Sequence, residues 1–177
     1  LSRAGSETAP EEDSACSVIE NSASASITPS EEVRGKFLMV HVQGVNRHGV
    51  ADWYSSTTSV VWMAPVIDQP VQVFGTIFNE LNAKAKFDTW KAFPAPTREY
   101  LWYLCTDLTL SAQNTLPQTC EPITPVATSA TFKIPDAPWN ENKRLAVRVV
   151  ATNAIGSATI YSATSAQIKP GPVNKVP

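Results

Sequence analysis

The chain has 177 residues, 43% of them hydrophobic and 17% charged, with a formal net charge of -2 at pH 7. That balance supplies apolar material for a core but too little basic charge for a nucleic-acid partner, and no apolar run approaches the roughly 20 residues that span a bilayer. Fourteen prolines are scattered along the chain and leave long helices almost no room, which points to an all-β protein.

In chain order, the first thirteen residues are polar and end in Glu11-Glu12-Asp13, a run that solvation explains without a calcium ion. Leu38, Val40 and Val42 then mark a strand, Asn46-Arg47-His48-Gly49 a tight turn, and a second strand is expected toward Val61. The aromatic stretch Tyr100-Leu101-Trp102-Tyr103-Leu104 reads as a strand running into Cys105. Leu145, Val147, Val149 and Ala151 alternate with Arg144, Arg148 and Thr152, the period of a strand with one buried face. Asn153-Ala154-Ile155-Gly156 is expected to turn through the positive φ that Asn and Gly tolerate, and a strand to follow from Ser157 to about Ile168.

These stretches repeat. Lys36 falls on Lys143 at a shift of 143 − 36 = 107, and one ungapped register then pairs Val40 with Val147, Val42 with Val149, Asn46 with Asn153, Gly49 with Gly156 and Tyr54 with Tyr161. Pro65-Val66 falls on Pro172-Val173 in the same register. A period of this length is too long for a solenoid and suits whole domains in tandem. The expected division is residues 1–65 as the C-terminal part of one module, 66–171 as a complete module and 172–177 as the start of another, with Ala64-Pro65-Val66 as a short linker. Cys16 falls on Cys120 at a shift of 120 − 16 = 104, and the position matching Cys105 holds Leu1. Cys16 is therefore expected to pair with a cysteine upstream of the chain, the alternative being a free thiol.

Trp90, Pro94-Ala95-Pro96-Thr97, Tyr100 to Cys105, Cys120, Ile123 and the run from Arg144 to Ala158 together resemble the bacterial immunoglobulin-like repeats of large surface and secreted proteins, especially actinobacterial ones. The resemblance implies tandem immunoglobulin-like β-sandwich modules at an extracellular or cell-surface location, forming a spacer or adhesive stalk. It implies a core around Trp102, with Tyr100, Trp90, Leu145, Val147 and Val149 in it or at its edge. Cys105 and Cys120 are expected to close the loop Thr106 to Thr119 in an oxidising compartment, which would add roughly 3 kcal/mol of stability.

Chemistry is sparse by comparison. His41 and His48 have no second histidine or carboxylate cluster at ligand spacing, and no Gly-x-Ser-x-Gly elbow occurs, so neither an enzyme nor a metal or other cofactor is expected. The two copies differ on the strand face expected to point outward, where Phe37, Met39 and His41 replace Arg144, Ala146 and Arg148. Trp53 also replaces Ile160, and Trp62-Met63 replace Lys169-Pro170. Phe37, Met39, His41, Trp53, Trp62 and Met63 are thus the candidate interaction face, toward a neighbouring module of the same protein or a second copy. The expected function is a structural module of a surface fibre, stalk or lattice. The alternatives are an adhesin or carbohydrate-binding module, with Trp53 or Trp62 stacking on a sugar, and an accessory region of a secreted hydrolase.

Overall fold

The computed structural model describes residues 16–20, 23–86, 88–106 and 110–171, and among these there are antiparallel strands and two single 3-10 turns but no α-helix. Glu11-Glu12-Asp13 and residues 172–177 lie outside the described residues. The chain divides into two compact units, residues 1–63 and 64–177.

In residues 64–177 the alternation read around Leu145 becomes β10 (Arg144–Asn153), which pairs with β7 (Thr97–Cys105) along one edge and with β11 (Gly156–Tyr161) along the other. With β8 (Cys120–Pro122) beside β7, these strands form a four-stranded sheet in the order β11-β10-β7-β8. A three-stranded sheet is built from β4 (Gln72–Phe74), β5 (Asn82–Lys86) and β9 (Thr131–Lys133). A third pairing joins β3 (Met63–Gln69) to β6 (Thr89–Phe93). The arrangement is sandwich-like: Leu145, Val147 and Val149 of β10 and Trp102 of β7 are fully buried in one cluster with Val71, Ala83 and Ile134, and Trp90 and Tyr100 pack half-buried at its margin. Trp102 satisfies its one polar atom there, the indole N–H donating to the Ser129 carbonyl at 2.7 Å, and its ring lies 5.7 Å from that of Phe132. A buried Trp without that acceptor would carry the cost of an unpaired donor.

The opposite face of the four-stranded sheet is covered as well. Cys105 and Cys120 form a disulfide, and with Tyr103 and Ala146 they make a second buried cluster against Leu110 and Tyr161. Ala146 was expected to point to solvent, yet the segment that the disulfide ties down buries it.

Three further expectations change. Ala64-Pro65-Val66 is not a linker: it lies inside β3, with Pro65 buried. Gly156 is not among the residues at positive φ and neither is Asn153; instead the Asn153 side-chain carbonyl accepts from the N–H groups of Ile155 and Gly156 at 2.9 and 3.2 Å, so an Asn side chain holds the turn in place of left-handed backbone. The strand after the turn ends at Tyr161 rather than near Ile168. Beyond it, the Ser162 and Ser165 hydroxyls accept from the N–H groups of Val147 and Leu145, each at 2.9 Å, while the backbone N–H groups of Ser162 and Ser165 donate to the carbonyls of those same residues. The chain still follows β10, but hydroxyls occupy the places of ladder carbonyls, so regular pairing stops.

Replacing Trp102 with Ala is expected to lower the unfolding free energy of residues 64–177 by about 3–5 kcal/mol in urea melts followed by circular dichroism. Ser162→Ala strands the buried Val147 N–H and should cost about 1–3 kcal/mol in the same measurement.

Candidate interaction surface

In residues 1–63 the described strands form a two-stranded hairpin, β1 (His41–Asn46) with β2 (Gly49–Tyr54). Its register runs from Asn46 opposite Gly49 to His41 opposite Tyr54, and the β10–β11 register runs from Asn153 opposite Gly156 to Arg148 opposite Tyr161. The correspondence extends to individual hydrogen bonds outside the strands. Ser55 N–H donates to the Val40 carbonyl at 2.9 Å as Ser162 does to Val147, and Val40 N–H donates to the Ser55 hydroxyl at 2.9 Å as Val147 does to Ser162. Thr58 holds Leu38 with the same two bonds by which Ser165 holds Leu145. The 3-10 turn Glu31–Val33 stands 107 positions before the turn Pro138–Asn140. Gly35 at φ 73° also matches Asn142 at φ 62°, a left-handed conformation that Gly and Asn adopt at least cost.

The backbone is therefore repeated, but the burial is reversed. Val147 and Val149 have no exposure, whereas their copies Val40 and Val42 are 59% and 55% exposed. Ile134 has none, whereas Ile27 is 44% exposed. Every residue of β1 is exposed, and Val33 is the buried hydrophobic residue of this unit among those described. The stretches aligned with β8 and β9, residues 16–18 and 24–26, are not strands, and at the shift of 107 the positions aligned with β4, β5 and β7 fall before residue 1. Cys16 to Val18, the stretch aligned with β8, is unpaired coil, and Cys16 is an exposed free thiol.

Strand register sorts the candidate face. His41 stands opposite Tyr54 and Gln43 opposite Asp52, which puts Phe37, Met39 and His41 on one side of the hairpin; Trp53 stands opposite Val42, on the other. Phe37, His41, Trp53 and Trp62 are exposed and Met39 is half-buried, while Met63, also half-buried, opens β3. The six residues are therefore not one contiguous surface. The His41 side is organised by polar contacts: His41 Nε2 lies 2.7 Å from Asp52 Oδ1, Gln43 Nε2 donates to the same oxygen at 3.1 Å, and the imidazole stacks on Tyr54 with centroids 4.4 Å apart. These two hydrogen bonds hold the Asp52 carboxyl below the usual aspartate range. The other side carries Leu38, Val40, Val42 and Trp53, the positions that in β10 and β11 face the core.

Elsewhere the described residues offer little chemistry. No three His, Cys, Asp or Glu residues come together as a ligand set among them. Two open depressions, of about 400 and 380 Å³, flank the second unit, one lined by no ionisable group and the other by Arg98, Glu99 and Arg148, of which Arg98 pairs with Asp88 at 3.0 Å. No helix among the described residues is long and apolar enough to cross a membrane.

No family model, no curated protein and no solved structure matches this chain.

The lowered Asp52 pKa predicts a carboxyl whose NMR titration midpoint lies below the usual aspartate value and rises toward it in His41→Ala. By linkage, the stabilisation of the hairpin by this contact is present above the unfolded-state pKa and lost as pH falls through the lowered folded value.

Proposed function

We propose that this chain is a non-catalytic structural segment of an extracellular, repeat-built fibre, stalk or lattice, made of tandem immunoglobulin-like β-sandwich modules. The observation that carries the reading is the recurrence of residues 31–61 in residues 138–168, with the same hairpin register and the same serine and threonine backbone bonds at one fixed shift. A backbone copied at that fidelity, with side chains free to change, is what duplication of whole domains produces. The Cys105–Cys120 disulfide supports an oxidising compartment, since cytosolic thiol buffers keep such pairs reduced. The relevant partners are neighbouring modules of the same protein and further copies meeting the Phe37 and Met39 side of the hairpin. A carbohydrate-binding role is the second reading, favoured by the exposed indoles of Trp53 and Trp62, which offer flat apolar rings for a sugar face.

Fractionation of the native cells tests the main reading. The polypeptide is expected in the exported or surface-attached fraction with Cys105 and Cys120 oxidised, and a cytoplasmic pool with both thiols reduced would overturn the proposal. Self-association through the hairpin side predicts a molar mass in light scattering that rises with concentration and returns to the monomer value in the Phe37→Arg, Met39→Arg double variant. For the second reading, glycan-array binding should vanish in Trp53→Ala or Trp62→Ala.

A further inference from the structure

We infer that Asn79, Asp136 and Asn140 form a binding site for one calcium ion in residues 64–177. The inference goes beyond the structural role proposed above, and it depends neither on where the protein is located nor on whether it self-assembles.

The argument begins with two buried amides. Asn79 and Asn140 are 0% and 1% exposed. Each spends its side-chain nitrogen on an acceptor: Asn79 Nδ2 donates to Asp136 Oδ1 at 3.1 Å, and Asn140 Nδ2 donates to the Pro135 carbonyl at 2.7 Å. Both amides therefore lie against the Pro135-Asp136 dipeptide. A carboxylate oxygen and a carbonyl only accept, so the nitrogens must face them and both Oδ1 atoms are left over. Neither Oδ1 has a hydrogen-bond partner, and both are shut off from solvent. Backbone bonds fix the place, with Asn79 N–H donating to the Lys169 carbonyl at 3.0 Å and Glu80 N–H to the Ile134 carbonyl at 2.8 Å. Two orphaned acceptors call for an electropositive guest, and their burial restricts it to something as small as an ion or a water molecule.

The other copy of the repeat shows that the fold does not require these polar groups. At the shift of 107, Asn140 falls on Val33 (140 − 107 = 33) and Asp136 on Pro29 (136 − 107 = 29). Both 3-10 turns form, Glu31–Val33 and Pro138–Asn140, and Val33 is buried as Asn140 is. A valine thus serves the turn with no polar atom to desolvate, whereas Asn140 carries a cost that the backbone does not demand. Charge favours an ion as the guest. Glu80 Oε2 pairs with Lys133 Nζ at 2.6 Å and Glu80 Oε1 accepts from the Asp136 N–H at 3.2 Å, which offsets Glu80 and leaves Asp136 as the negative charge available to a cation. Carboxylate and amide oxygens are the ligands that calcium takes, and because Asp136 is exposed, water can complete a shell of about six to eight oxygens. The ligands are spread from residue 79 to residue 140 and two of them are amides, so no ligand spacing in the sequence marks them.

The test titrates calcium chloride into the chelator-treated 177-residue chain, followed by calorimetry and by the side-chain amide NMR signals of Asn79 and Asn140. One ion per chain is expected, with a Kd on the order of 0.1–1 mM for a site of one free carboxylate, and magnesium, which dehydrates reluctantly, should bind more weakly. Both amide signals should shift with the calorimetric midpoint. Calcium at ten times its Kd should lower the unfolding equilibrium constant of residues 64–177 about elevenfold in urea melts. Asn140→Val, which installs the residue of the other copy, should abolish that response while unfolding no more readily than the parent chain in chelator. Asp136→Asn keeps the shape without the charge and should weaken binding about tenfold. The inference is overturned if no calcium is taken up by about 10 mM. It is also overturned if both variants bind as the parent does, because the ion then sits elsewhere, for instance at Glu11-Glu12-Asp13. Destabilisation by Asn140→Val that is equal with and without calcium would overturn it too, by assigning the two oxygens to a buried water. None of these outcomes bears on cellular fractionation, so the site and the proposed role stand or fall separately.

Discussion

A strand in the middle of a sandwich has four demands: two edges of backbone hydrogen-bonding groups and two faces of side chains. In β10 all four are met, by β7 and β11 along the edges, by the Trp102 cluster on one face and by the disulfide-bound cluster around Tyr103 and Ala146 on the other. Among the described residues of 64–177, β10 also packs against β4 and β6. Buried backbone polar groups must be paired, so the edges decide which segments lie beside β10, and the apolar alternation decides which face receives the core.

Among the described residues, the hairpin of residues 1–63 meets only one of those demands. β1 has β2 on one edge, held in the same register and with the same serine and threonine hydroxyl bonds as its copy. Those bonds are local in sequence and survive without a core. Its Val40 and Val42 are exposed, whereas the burial of Val147 and Val149 rests on strands distant along the chain. The comparison within one polypeptide separates what a hairpin holds by itself from what it receives from its neighbours.

Polar side chains take over where the apolar pattern runs out. Ser162 and Ser165 replace a ladder, Asn153 and Asn46 close the two turns with their side-chain carbonyls, and Asp52 draws His41 and Gln43 together on a face that its neighbours leave in solvent. None of these residues carries a recognisable motif. The Ser and Thr richness after each turn reads simply as strand composition, which is why the strand expected to run to about Ile168 ends instead at Tyr161.

The sequence alone determined the all-β class, the alternation of β10, the aromatic strand ending at Cys105 and the repeat at its fixed spacing, because period-two hydrophobicity, proline frequency and self-similarity are written directly in residue order. Tertiary structure decided that Ala64-Pro65-Val66 belong to a strand, that Ala146 is buried, and that Trp53 lies on the side of the hairpin opposite Phe37, Met39 and His41. Each of those outcomes depends on which distant segment lies against a residue, and alternation along one strand specifies two faces without saying what will cover either.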